Sequence, residues 1–161
     1  MLDIYVDADG CPVKPEVYRV AARYRLKVTV VANAWMWTPP DDLIELVLVD
    51  GGLDSVDDWI VEHVAGNDIV VSGDIPLASR CLKAGAKVLD PRGRVFTEDS
   101  IAEALASRDL LAHLREIGTI TGGPAPLGKQ DRSRFLQRFD EAIQAVRRSR
   151  FLAVLPELPG I

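Results

Sequence analysis

Short runs of β-branched and aliphatic residues recur along this chain, and almost every one is followed by a segment of helical periodicity. Val28-Thr29-Val30-Val31 and Ile69-Val70-Val71 are the clearest runs. Such runs are too short for buried helices and read as strands covered on both faces. The pattern predicts strands at 3–7, 27–32, 45–49, 68–72 and 86–89. Helices are expected at 14–25, 55–64, 75–84, 98–116 and 130–148. Pro15 and Pro76 stand where a first helical turn tolerates proline. Between the second and third strands, residues 33–42 form a loop carrying Trp35, Trp37 and Pro39-Pro40. Alternation at this spacing predicts a parallel sheet with right-handed crossovers. The expected fold is therefore α/β, with a mostly parallel central sheet of about five strands.

The chain has 161 residues, 48% hydrophobic and 27% charged, which suits one domain with a proper core. Residues 1–150 are expected to form that domain and 151–161 a tail. The formal net charge of −5 lacks the overall basic balance of a dedicated nucleic-acid binder. A local basic strip can still serve that role in an acidic protein. Cys11 and Cys81 form no C-x-x-C pair, so a zinc ribbon or thioredoxin-like site is unsupported. With only His63 and His113, any metal site must lean on carboxylates. No apolar run approaches ~20 residues and no basic-then-apolar leader opens the chain, so a cytoplasmic, membrane-free setting is expected.

Acids gather where the predicted strands end. Asp7 and Asp9 follow the first strand, Asp74 the fourth and Asp90 the fifth; Asp54, Asp57 and Asp58 open the helix after the third. In a parallel α/β sheet, strand C-termini and the following helix N-termini share one edge. Acids distant in sequence can therefore meet in one cleft, where their repulsion calls for Mg²⁺ or Mn²⁺. Simpler roles compete. Helix-start acids complement the macrodipole, Asp74 can cap its own helix, and Asp90 before Pro91 suits a turn. For Asp58 and Asp90 the simpler role is favoured; for Asp7 and Asp74 the sheet-edge position favours function.

Four segments carry a more specific signal. They are residues 4–14 (Ile-Tyr-Val-Asp-Ala-Asp-Gly-Cys-Pro-Val-Lys), residues 68–78 around Val71-Ser72-Gly73-Asp74, Thr121-Gly122-Gly123-Pro124, and residues 129–135 beginning Lys-Gln-Asp-Arg. Together they resemble the bacterial YaiI/YqxD family over nearly all of residues 1–150. That family is usually placed with PIN-like and NYN-type nuclease domains, which implies a PIN-like three-layer fold. In NYN domains a first strand ends in aspartate, a Val-Asp pair opens a middle helix, and Val-Ser-Gly-Asp ends a later strand. The resemblance implies Asp7, Asp57 and Asp74 as ligands of Mg or Mn, with Asp9 and either Asp54 or Asp58 as auxiliary acids. Ile75-Pro76-Leu77 departs from the pattern, since many NYN domains carry another acid there, and this leaves the metal number open.

The activity so implied is metal-dependent hydrolysis of phosphodiester bonds, with RNA or another single-stranded nucleic acid as partner. Lys129, Arg132 and Arg134 on the last helix, and Lys14 beside the first acidic loop, are the candidate phosphate contacts. An arginine-rich helix is more often a solvated face. Trp35 and Trp37 suit base stacking if exposed, although tryptophans in such loops more often belong to a core or a homo-oligomer contact. Cys11 reads as a packing residue.

Two other readings stay open. Asp-x-Asp-Gly after a strand also resembles haloacid-dehalogenase-type phosphatases, with Asp7 as nucleophile, Asp9 as general acid and Ser72 holding phosphate. Against it, Lys83 and Ala78 do not fit that superfamily's later motifs. The third reading is a PIN-like module without catalysis that binds RNA or protein.

Overall fold

The computed structural model describes residues 2–52, 54–116, 118 and 126–154. Thr121-Gly122-Gly123-Pro124 and the end of the chain from 155 lie outside the described residues. Among the described residues there are five strands: β1 (Ile4–Asp7), β2 (Val28–Ala32), β3 (Ile44–Leu48), β4 (Ile69–Val71) and β5 (Lys87–Leu89). The helices are α1 (Lys14–Arg23), α2 (Ser55–His63), α3 (Ile75–Lys83), α4 (Glu98–Glu116) and α5 (Lys129–Val154). The last helix runs past its expected end at 148 and takes in residues 151–154.

All pairings between strands are parallel, in the order β3-β2-β1-β4-β5. This five-stranded α/β sandwich agrees with the expected PIN-like three-layer fold. The chain moves outward from β1 through β2 to β3, then crosses back to add β4 and β5 on the other side. The gap between β1 and β4 is thus the topological switch point, where open α/β sheets place ligands.

Strand alternation sorts the core into two layers. Ile4, Val6, Val28, Val30, Ile69 and Val71 join the cluster that α1 and α5 cover. Tyr5, Val31, Val70 and Val88 join the opposite cluster, with Val56 and Ile60 of α2, Leu77, Ala78 and Cys81 of α3, and Ile101 of α4. The same period turns Asp7 and Ser72 toward the α2 and α3 face. Because Val6 pairs with Val71, these two residues also become neighbours across the switch point.

Helix α5 docks along a stripe of Phe135, Phe139, Ile143 and Val146, all fully buried. The spacing is i, i+4, i+8, i+11, one face of a helix. Full burial of each phenylalanine is worth about 1.5–3 kcal/mol. Polar contacts set the docking against α1. Arg132 donates to Glu16 Oε1 and to the Pro12 carbonyl oxygen, both at 3.1 Å. Tyr24 donates to Asp140 at 2.6 Å.

The turn after β5 closes against this helix. Asp90 accepts from the backbone N–H groups of Arg92 and Arg94, the turn role expected for it. Gly93 sits at φ +89°, and a Cβ there would lie 2.9 Å from both Arg134 C and Phe135 N. Gly93→Ala is expected to destabilise the protein by about 2–4 kcal/mol, through left-handed strain plus forced separation from α5. Gly51→Ala, which meets nothing within 4 Å, is the control and should stay within about 0.5 kcal/mol. Urea denaturation reads both, and equal midpoints for the two variants would contradict this packing.

Candidate metal centre

Three acids from three elements converge at the switch point. Asp7 ends β1, Asp57 is the third residue of α2, and Asp74 follows β4 as the N-cap of α3. Each offers a carboxylate oxygen, and these oxygens all lie within 4.8 Å of one another. Ligands on opposite sides of a Mg²⁺ would stand about 4.2 Å apart. The spacing therefore fits one shared cation with only small side-chain adjustments. The surrounding cleft has a volume of about 320 Å³ and is also lined by Asp9, Gly10, Asn33, Asp54 and Ser55.

Asp7 is the most enclosed of the three, at 7% exposure. Ser72, completely buried, donates its hydroxyl to Asp7 Oδ2 at 2.9 Å. The Ser72 oxygen in turn accepts the Asp74 backbone N–H at 3.0 Å. Asp74 Oδ1 caps α3 by accepting the Leu77 N–H at 3.0 Å. A chain of short bonds thus runs from the end of β1 through Ser72 into the start of α3. It fixes one oxygen of Asp7 and one of Asp74. The capping role foreseen for Asp74 and its place in the cleft coexist.

Gly10 closes the other side. Its N–H donates to the Asp7 carbonyl at 3.3 Å, and a Cβ on it would come within 3.3 Å of Asp7 Oδ2. A side chain there would crowd the carboxylate, which gives the glycine of the Asp-Ala-Asp-Gly run a physical reason.

The acids oppose one another electrostatically. Burial, then the negative charges of Asp74 and Asp9, push the Asp7 carboxyl above its ordinary range, while the Ser72 bond pulls it down. Asp57 is pushed up to about 6, first by burial and then by Asp74, Asp7 and Asp54, against a lowering from Arg80. A bound cation would remove that repulsion.

The remaining predicted acids divide. Asp9 is exposed and lines the cleft. Asp54 also lines it, in the left-handed conformation (φ +66°) and without capping α2 through its side chain. Asp58 instead pairs with Arg80 at 2.8 Å on the surface. Ser72 is unavailable for the phosphate-holding role of the phosphatase reading, because its buried hydroxyl is committed to Asp7.

None of the four basic candidates lines the cleft. The Lys14 ammonium donates to the Cys11 carbonyl at 2.8 Å. Arg132 is engaged by Glu16, so its first task is to anchor α5. Arg134 lies 3.7 Å from Asp131 and, with exposed Lys129, borders a separate shallow depression on α5. Cys11 is buried, and its thiol is pushed up to about 11 by that burial, as befits a packing residue.

Sequence reasoning missed Asn33 and Ser55. Ser55 donates to Asn33 Oδ1 at 3.0 Å and ties the start of α2 to the end of β2. Asn33 directly follows a strand, so the strand-end rule that found Asp7 would also have found it.

The description "Uncharacterized BCR, YaiI/YqxD family" matches residues 5–145. The UPF0178 protein RC1_2062 of Rhodospirillum centenum is 55% identical over 154 residues, covering 93% of this chain and all of the relative. The UPF0178 protein amb2838 of Paramagnetospirillum magneticum is 53% identical over 148 residues, covering 92% of this chain and 98% of the relative. No solved structure matches the chain significantly.

The acid cluster predicts a specific pH response. A carboxyl raised in the fold binds a proton that the unfolded chain has lost. Its contribution in metal-free protein is therefore present at low pH and disappears as pH rises from about 4 to about 6. Carboxyl NMR of metal-free protein should show Asp57 titrating near 6, and Asp74→Asn should lower that midpoint. An Asp57 midpoint near 4 in both proteins would contradict the mutual repulsion.

Proposed function

The chain belongs to the YaiI/YqxD family, and from the geometry of its acidic cleft we propose that it is a metal-dependent hydrolase of phosphodiester bonds, acting on RNA. The observation that carries this reading is the convergence of Asp7, Asp57 and Asp74 within 4.8 Å at the switch point of the sheet. The donor set is all carboxylate, which suits a hard cation such as Mg²⁺ or Mn²⁺. Held there, the cation would supply positive charge to phosphate oxygens and lower the pKa of water.

The residues of the chain have separable tasks in this proposal. Asp7, Asp57 and Asp74 hold the cation. Ser72 orients Asp7, leaving that carboxylate little freedom to turn away. Asp9 and Asp54, at the cleft wall, are proposed to accept a proton from an attacking water or to hold it in position. Lys129 and Arg134, outside the cleft, are proposed to meet the phosphate backbone of a longer substrate, and Lys14 to meet it nearer the first acidic loop. Arg132 is proposed to act chiefly by positioning α5, with a direct phosphate contact secondary.

The proposal is tested with purified protein, single-stranded RNA and Mn²⁺ or Mg²⁺. Wild type should cleave, and chelation should abolish cleavage. Asp74→Asn should lower the rate by more than about a hundredfold. Ser72→Ala should cost about tenfold to a hundredfold in metal affinity or rate, as the loss of a ligand-orienting partner does. Cleavage unaffected by chelation, or full activity in Asp74→Asn, would overturn the assignment.

A further inference from the structure

Trp35 and Trp37 are 73% and 66% exposed, in a protein whose other large side chains are mostly inside. A buried tryptophan removes some 150–250 Å² from water, so leaving two in solvent gives up a large stabilisation. The expectation that they belong to the core does not hold within the chain. Their loop connects β2 to β3, and it has no regular helix or turn over residues 35–39. Met36, between them, is half-buried against the α1 and α5 core layer. That contact pins the loop at its middle and leaves both flanking indoles outward.

The loop starts at the acidic cleft. Asn33 lines that cleft and is tied to Ser55. Chain reach sets the Trp35 Cα within about 7 Å of the Asn33 Cα, and that of Trp37 within about 14 Å. A cation stands at the same edge of the sheet, since Lys14 opens α1 just after β1 ends. Glu16 and Arg23 mark the side of α1 that faces α5, through their bonds to Arg132 and Asp140. Lys14 is about 200° around the helix from Glu16, on the side away from α5. The acids Asp41 and Asp42 come only at the far end of the loop, where β3 begins at the opposite edge of the sheet.

We infer that Trp35 and Trp37 form a stacking platform that holds bases of a single-stranded nucleic acid leading out of the acidic cleft, with Lys14 beside its backbone. The choice of ligand rests on the phosphodiesterase reading of that cleft. Single strands are selected because a duplex hides the faces of its bases, whereas indoles accept any unpaired base. The platform is sequence-tolerant for the same reason. It adds a subsite for nucleotides flanking the scissile bond and sets a minimum substrate length.

The test is tryptophan fluorescence with oligouridylate at low salt, in EDTA so that no strand is cut. Quenching is expected with the single strand and not with an adenylate–uridylate duplex. Trp35→Ala and Trp37→Ala should each weaken binding by roughly fivefold to a hundredfold, while Trp→Phe variants retain most of it. Hydrolysis of bis(p-nitrophenyl) phosphate with Mn²⁺, a substrate too short to span both indoles, should be unchanged in the alanine variants. Quenching without any such hydrolysis would remove the phosphodiesterase reading and leave the platform standing. Undiminished oligouridylate binding by the double alanine variant would overturn the platform. So would a wild-type dimer that shows no quenching and dissociates in that variant, since the indoles would then face a second copy of the chain.

Discussion

The pairing of β1 with β4 is the constraint on which the rest of the structure depends. Its register joins Ile4 to Ile69, Tyr5 to Val70 and Val6 to Val71, residues some 65 positions apart in the chain. Such a contact forms only after α1, β2, β3 and α2 have been passed over, so its loop-closure entropy must be met by burial. The strands supply that burial, because Ile4, Val6, Ile69, Val70 and Val71 are all fully enclosed. Once the pairing exists, Asp7 and Ser72 stand side by side, and Asp74 follows within two residues. The acidic cleft is thus a consequence of the sheet's central joint.

That joint holds the acids together against their own repulsion. At the outer limit of 4.8 Å between their oxygens and an effective dielectric constant of about 20, a pair of carboxylates repels by on the order of 3 kcal/mol, before further solvent screening at the cleft mouth. Two of the three are raised above their ordinary range in response. A sheet edge selected for stability alone has no need of such an arrangement, since Asp74 could cap α3 without Asp57 nearby. The hydrogen bonds of Ser72 and Leu77 restrain Asp7 and Asp74 without neutralising them. A divalent cation would do so, and the all-oxygen donor set matches its preference.

Much of this was legible in the sequence because the relevant signals are local. β-branched runs and helical spacing located every described strand and helix, with shifts of one or two residues at most ends and of six at the end of α5. Asp7 and Asp74 were legible because strand ends share an edge in a parallel sheet, whereas the choice of Asp57 among the three helix-start acids came from the family resemblance. Less accessible were roles fixed by a distant partner. Arg132 reads as a phosphate contact in the sequence, and only its pairing with Glu16, 116 residues away, shows that it also anchors α5. Ser72 reads as a strand-end hydroxyl that holds phosphate in the phosphatase alternative, and only the β1–β4 register turns it onto Asp7. The exposure of Trp35 and Trp37 depends on Met36 taking the inward position, a choice that a proline-containing loop leaves undecided by periodicity.

A crystal of the protein soaked in Mn²⁺, with anomalous scattering recorded, tests the shared metal centre most directly. The account predicts one anomalous peak between Asp7, Asp57 and Asp74, within about 2.3 Å of an oxygen from each. Carboxylates that remain apart with no peak between them, or a peak ligated elsewhere, would contradict it.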